Sequence, residues 1–317
     1  MRVAFLGNAV WSVPAVRALA ASPHDLEVFT RVPKPAGRGG RLRPTPVAVA
    51  ARELGVLLRE IETVKRPPGS AELAGSRPDV LAVVAYGEIL PPEVLDIPSI
   101  APVNVHFSLL PELRGAAPVQ RAILDGLTAT GVTTIRMDEG MDTGPILVGA
   151  EEAIDPEEDA GSLGDRLAKM GARLLVDTLD RLEAGSLHEK PQDEGRATYA
   201  PKLRPEDETI DWSQPADRIV RLVRALSPTP AAHTTFRGRL LKVFRAERGE
   251  ARPEEGASPG GPGAIALASD TRLAVTTGEG VVRLEEVAPE GKRRMSGADF
   301  VRGYRPEHGE RLGDRHG

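Results

Sequence analysis

No cysteine occurs among the 317 residues. Disulfides, thiol catalysis and Cys-ligated metals are excluded together, and the absence fits a cytoplasmic protein. No run of about 18 apolar residues occurs either, so no membrane-spanning helix is expected. The apolar start at residues 3–6 stops at Asn8 with no cleavage-type segment behind it. It reads as a buried first strand and not as a secretory signal. A positive excess is missing too: the net charge of −5 argues against a protein that coats nucleic acid through overall charge. Local basic patches remain open. Metal-ligand spacing is lacking, because His24, His188, His233, His308 and His316 are scattered and Asn104-x-His106 is half a ligand set. Gly7 follows the first strand, but Gly7-Asn8-Ala9-Val10-Trp11-Ser12 is not G-x-G-x-x-G, so no nicotinamide cofactor is expected.

What is present falls into two textures. The first half alternates apolar runs at 3–6, 26–30, 80–85, 102–107 and 132–137 with helix-like segments at 12–21 and 47–54. This rhythm predicts an α/β domain with a mostly parallel sheet covered by helices. Ligands of such sheets sit at the carboxyl ends of the strands. Tyr86-Gly87, Asn104 to His106 and the residues after Met137 are therefore expected at one site. Ser162-x-x-Asp165 predicts the cap of a helix running to about Glu183, with Leu163, Leu167, Met170, Leu174 and Leu182 as its core stripe. The second half has short runs at 240–244, 264–267, 273–276 and 281–287 between Gly/Pro-rich turns, after a helix near 216–225. This predicts a small antiparallel barrel. The expected boundaries are a catalytic domain at 1–185, a linker at 186–204, a barrel at 205–310 and a flexible tail at 311–317, with 252–263 a mobile loop.

The most informative stretch is Asn104-Val105-His106-Phe107-Ser108-Leu109. On a strand, residues 104 and 106 project from one face. An amide beside an imidazole offers two donors to an oxygen that gains charge when a carbonyl is attacked. The downstream Asp138-Glu139-Gly140-Met141-Asp142-Thr143-Gly144 places a carboxylate in a Gly-rich turn, where Asp142 either orients His106 and relays a proton or merely caps local amides. Arg31, Lys34, Arg38, Arg41 and Arg43 form a basic stretch with no acid among them, flexible at Gly37, Gly39 and Gly40. It reads as a solvated loop or as a polyanion contact. Arg237, Arg239, Lys242, Arg245 and Arg248 form a second basic set, with Lys292-Arg293-Arg294 later in the barrel.

Asn104-x-His106-x-Ser108-Leu109-Leu110-Pro111-x-x-Arg114-Gly115-Ala116-Ala117-Pro118, with Thr130-Gly131-Val132-Thr133 and Met141-Asp142-Thr143-Gly144, resembles the folate-dependent formyltransferases. Val84-Ala85-Tyr86-Gly87-x-Ile89-Leu90-Pro91, Pro35-Ala36-Gly37-Arg38-Gly39, Tyr199-Ala200-x-Lys202-Leu203 and Ile210-Asp211-Trp212 are similar to the methionyl-tRNA branch of that family. The resemblance implies a Rossmann-like formyltransferase domain followed by an OB-like barrel that holds tRNA. It implies 10-formyltetrahydrofolate as formyl donor and initiator methionyl-tRNA as acceptor, with no metal, no membrane and no obligate protein partner. The catalytic trio maps onto Asn104, His106 and Asp142. The folate pocket maps onto Tyr86, Gly87, Ile89, Leu90, Ser108, Leu109, Leu110 and Pro111, and tRNA contact onto Arg38, Arg41 and Arg43. Where the family has Gly-Thr-Pro-x-Phe after its first strand, this chain has Gly7-Asn8-Ala9-Val10-Trp11. Rival readings are a formyltransferase of an amino sugar nucleotide and an RNA-binding protein on the same scaffold.

Overall fold

The apolar runs of the first half become a sheet whose central strands are buried on both faces. The computed structural model describes residues 1–36, 40–249, 261–269 and 272–313. In it the strands are β1 (Arg2–Gly7), β2 (Asp25–Arg31), β3 (Lys34–Ala36), β4 (Arg41–Arg43), β5 (Leu57–Ile61), β6 (Val80–Val84), β7 (Ala101–His106), β8 (Ala129–Arg136) and β9 (Ile146–Ala153). The main sheet has the order β5-β2-β1-β6-β7-β8-β9. Its strands are parallel from β5 to β7. The mostly parallel α/β domain is as expected, with one difference that matters for the site. β8 runs antiparallel to β7, pairing Asn104 with Ile135 and His106 with Thr133. Residues after Met137 therefore start beside the beginning of β7, and they reach its chemistry only by folding back in the connection to antiparallel β9.

The helices are α1 (Val13–Ala20), α2 (Pro46–Leu54), α3 (Gly69–Gly75), α4 (Pro92–Leu95), α5 (Pro118–Leu124) and α6 (Ala160–Glu183). Local chemistry sets their limits. Thr45 accepts from the Ala48 amide, Pro46 occupies the first turn of α2, and Gly55 closes the helix at φ 67°. α6 begins before the expected Ser162 cap. The Asp159 carboxylate accepts from the Ser162 amide, and the Ser162 hydroxyl accepts from the Asp159 amide, a reciprocal box.

The expected stripe of α6 is also corrected. Leu163 and Leu167 are buried, but Met170, Leu174 and Leu182 are only partly so, and the contact face is completed by Ala168, Gly171, Ala172, Leu175 and Leu179. A Cβ on Gly171 would lie 2.8 Å from Val105 and 3.3 Å from Val132, so close approach to the sheet selects small residues. Gly164 does the same for Trp11, whose ring occupies the space a Cβ would need. The Trp11 indole N–H donates to Asp165, and its ring meets Phe107 edge-on at 6.2 Å. A bulky aromatic at position 11 is thus matched by a glycine across from it. Gly164→Ala is expected to cost about 1–3 kcal/mol by overpacking, read as a lower unfolding midpoint in urea with an unchanged m-value.

The chain divides into two compact units: Met1–Pro118, Ala129–Ala153 and Gly164–Pro201 form the first, and Val119–Thr128, Ile154–Leu163 and Lys202–Gly317 the second. Most of the stretch expected as a linker, residues 186–201, therefore belongs to the first unit. The stretch expected to be a flexible basic loop carries the β3–β4 hairpin, while Arg38 lies outside the described residues.

In the second unit, α7 (Ala216–Leu226) precedes β10 (Ala232–Phe236), β11 (Arg239–Gly249), β12 (Ile265–Ser269), β13 (Arg272–Thr276), β14 (Val281–Pro289), β15 (Met295–Ser296) and α8 (Gly297–Tyr304). The antiparallel sheet runs β10-β11-β14-β13-β12, with β15 on β14. This is the curled, OB-like architecture expected. Ile219, Val223, Leu226, Val243, Val275, Val282, Leu284, Val287 and Phe300 fill its core. Of the loop expected at 252–263, residues 252–260 lie outside the described residues. The expected tail is not loose where it is described: Leu312 is 2% exposed and bridges to Phe236, and Arg311 bridges to Ala264.

Candidate active site

His106 is buried and Asn104 half-buried on the face of β7 opposite to Val105, whose side chain lies toward α6. Asp142 comes to that face from the β8–β9 connection. Its Oδ1 lies 3.4 Å from Asn104 Nδ2, and its Oδ2 lies 3.5 Å from His106 Nδ1. The Gly115 amide donates to the same Oδ2 at 2.9 Å. The three residues expected to act together are therefore brought together around one carboxylate. His106 Nε2 is 2.9 Å from the Leu113 carbonyl and donates to it. Nδ1 is thereby the ring nitrogen left for Asp142 and for chemistry.

Two tight loops deliver this geometry. The Asp142 loop ties itself down through Asp138, whose carboxylate accepts from the Gly140 amide and the Thr143 hydroxyl. Gly144 passes so close to the Arg136 carbonyl that no Cβ fits. Asp142 itself adopts φ 57°. In this left-handed region a short polar side chain is tolerated better than a bulky one. The other loop follows β7. The Ser108 hydroxyl donates to the Glu112 carbonyl, Thr133 donates to the Ser108 carbonyl, and the Leu110 amide donates to Thr133.

Among the expected folate residues, the placement is mixed. Ser108, Leu110 and Pro111 are buried and Leu109 is half-buried, all in the loop just described. Tyr86 and Leu90 belong to the core under β6, and burial pushes the Tyr86 phenol up to about 12. Gly87 turns the chain at φ 80°, and Ile89 stands 65% exposed beside them. Ile89 and the Gly87 backbone are the parts of this segment free to meet a ligand. An exposed apolar side chain just after β6, in the same sheet whose neighbouring β7 carries Asn104 and His106 of the partly buried polar trio, fits a co-substrate with an apolar ring system and one reacting carbonyl. Among the described residues no group of three or more His, Cys, Asp or Glu is placed to hold a metal.

The unusual Asn8 is accounted for. Its amide donates to the Tyr86 carbonyl, and its oxygen accepts from the Thr30 hydroxyl and the Arg31 amide, so it knits the ends of β1, β2 and β6. Of the basic residues, Arg31 pairs with Glu88 at 2.7 Å, and Arg43 is exposed on β4 beside Arg41 and Leu42. In the second unit, Arg237 pairs with Glu310, Arg245 with Glu247 and Arg248 with Asp217. Arg294 stacks on Phe244 at 3.7 Å. Much of the second basic set is thus already neutralised within its own unit.

Sequence reasoning missed the support behind the trio. Arg114, which the sequence shows only as one letter of the motif that carries the family resemblance, is 1% exposed, and its guanidinium contacts Gln192 and Glu194. Thr198 receives the Leu113 amide, and the Ala200 amide donates to the Arg114 carbonyl. A polar, Pro-containing stretch gives no periodic signal, and these pairings join residues about 80 apart.

A family model described as "Formyl transferase" matches residues 1–179, and one described as "Formyl transferase, C-terminal domain" matches residues 202–305. A methionyl-tRNA formyltransferase of Solibacter usitatus is 43% identical over 100% of both chains. One of a Nocardioides species is 45% identical, covering 99% of this chain and 98% of its own. Among solved structures, HypX from Aquifex aeolicus in complex with tetrahydrofolic acid matches with a TM-score of 0.66 at 19% identity. It covers 95% of this chain and 47% of that one, a likeness of fold. With both halves of the formyltransferase architecture matched and relatives this similar along the whole length, the chain belongs to the methionyl-tRNA formyltransferase family.

Proposed function

We propose that this chain moves the formyl group of 10-formyltetrahydrofolate to the free α-amino group of initiator methionyl-tRNA, with Asn104, His106 and Asp142 as the catalytic groups. The observation that carries the site assignment is the convergence of Asn104 Nδ2 and His106 Nδ1 on the Asp142 carboxylate at 3.4 and 3.5 Å. Contacts of this length suit donors that can turn from the carboxylate to a substrate oxygen. The co-substrate supplies a formyl carbon held as an amide at N10. Asn104 Nδ2 and the Nδ1–H of a His106 ring that carries both protons, its charge balanced by Asp142 and its Nε2–H kept on Leu113, donate to the formyl oxygen as the amine adds and charge develops there. Asp142 holds the His106 ring and takes up the amine proton, which ends on N10 as the old carbon–nitrogen bond breaks. The product is N-formylmethionyl-tRNA, the charged tRNA that initiates translation.

Tyr86, Gly87, Ile89, Leu90 and the loop from Ser108 to Pro111 are the proposed folate-binding segments, and Arg38, Arg41 and Arg43 the proposed acceptor-stem contacts. The catalytic domain is proposed to span residues 1–185 and the tRNA-holding barrel 205–310, in the cytoplasm. Among the described residues no helix is long and apolar enough to cross a membrane.

The test is to offer 10-formyltetrahydrofolate with charged initiator tRNA, charged elongator tRNA or an amino sugar nucleotide. N-formyl product is expected on the initiator tRNA; product on the sugar nucleotide alone overturns the reading, and no product at all favours a binding protein. Arg38→Ala is expected to raise KM for the tRNA several-fold, flatten the salt dependence by about one unit of slope, and spare folate binding. Equal loss of both substrates would assign the hairpin to the folate site or to the fold.

A further inference from the structure

Asp142 holds a left-handed backbone conformation that a non-glycine residue keeps only when its surroundings fix it. The fixing comes from Gln192, in the stretch the sequence presents as a linker. Gln192 Nε2 donates to the carbonyls of Asp142 and Gly144, each at 2.7 Å. Gln192 Oε1 accepts from Arg114 Nη2 at 2.8 Å and from Arg114 Nε at 3.1 Å. Two protons given and two received use the full capacity of a primary amide. The amide cannot be inverted, since its oxygen would then face two carbonyls. Arg114 is itself immobilised: it is buried, and Glu194 takes its other edge through two contacts at 2.7 and 2.9 Å. The next amide along the chain, Gly115, donates to the Asp142 carboxylate. A closed circuit results, from the Asp142 carbonyl through Gln192 and Arg114 to the Gly115 amide and back to the Asp142 carboxylate.

We propose that Gln192 is a positioning residue for Asp142, setting where its carboxylate meets Asn104 and His106. This rests on the reading of Asp142 as a catalytic group. Gln192 touches neither Asn104 nor His106 in the contacts described; it acts through the Asp142 backbone. A carboxylate displaced by about 1 Å can cost on the order of a hundredfold in rate, and a carbonyl freed at a left-handed position gives the loop that latitude.

The experiment compares Gln192→Glu and Gln192→Leu in the full-length chain, each alone and combined with Asp142→Asn. Gln192→Glu keeps the acceptor for Arg114 and removes both donors to the loop; Gln192→Leu removes all four contacts. Each single variant is expected to lower kcat roughly ten- to a hundredfold, with KM for both substrates within about twofold. In the Asp142→Asn background the further loss should be under about threefold, because two residues acting through one step are not additive. A melting temperature close to that of the parent identifies Gln192→Glu as the folded comparator if Gln192→Leu fails to fold. The same fold-loss in both backgrounds overturns the proposal, as does an unchanged kcat for Gln192→Glu. If Asp142→Asn alone turns over normally, the catalytic reading of Asp142 fails, and the positioning proposal fails with it. A slow Asp142→Asn beside a normal Gln192→Glu sinks the positioning proposal alone.

Discussion

Replacing Asn104 with alanine is expected to lower turnover by roughly a hundredfold to a thousandfold while leaving folate binding intact. Removing one donor aimed at a developing oxyanion costs about 2.7–4 kcal/mol of transition-state stabilisation. Asn104 carries one of the two side-chain donors converging on the Asp142 carboxylate; the other is His106 Nδ1, since His106 Nε2 is held by the Leu113 carbonyl. The half-buried Asn104 side chain has one described partner, at 3.4 Å, so its removal should leave the fold nearly untouched. Steady-state formylation of charged initiator tRNA reads the effect, with folate affinity measured beside it. Near-normal turnover with folate bound would remove Asn104 from the chemistry. A loss of folate binding as large as the loss of turnover would instead make it a pocket residue.

The contrast between what the chain disclosed and what it hid is physical. Period-2 projection alone places Asn104 and His106 on one face of a strand, and the structure keeps them there. The runs that became β1 and β6 are apolar on both faces, as strands covered on both sides must be. The direction of β8 carries no such mark, because parallel and antiparallel strands share the same side-chain alternation. The site therefore seemed assembled from strand ends, when Asp142 arrives by a loop that folds back. The face of α6 differs for a related reason: large apolar residues draw the expected stripe toward Met170 and Leu174, while the close approaches are made by Gly171 to the sheet and Gly164 to Trp11, with Ala168 buried between them. Gln192 and Glu194 were hidden most deeply. They lie in a polar stretch without periodicity, and their partners, Arg114 for both and the Asp142 and Gly144 carbonyls for Gln192, lie roughly 50 to 80 residues earlier.

Leu312→Ala is expected to destabilise the second unit by about 2–5 kcal/mol, the usual cost of truncating a buried leucine. A polar, Gly-rich end of chain reads as a fraying tail, yet the Leu312 side chain belongs to the core formed by Phe236, Ile265, Leu273 and Phe300. Its backbone matters as much. The Leu312 amide donates to the Gly263 carbonyl, and the Gly313 amide donates to the Thr235 carbonyl. The Ile265 amide donates to Glu310, and the Gly309 amide to Ile265. Residues 309–313 thus reach both outer strands of the sheet, β10 on one side and β12 on the other. An antiparallel sheet that curls leaves two edges, and an uncovered edge is open to pairing with another chain. The last described segment covers both and closes the barrel. Differential scanning calorimetry of Leu312→Ala should show a melting transition lowered by roughly ten degrees or more. Removing residues 309–317 should lower it further and promote association of the exposed edges, visible as a concentration-dependent increase in light scattering. A transition within a degree or two of the parent for both variants would mean that the barrel closes without this segment.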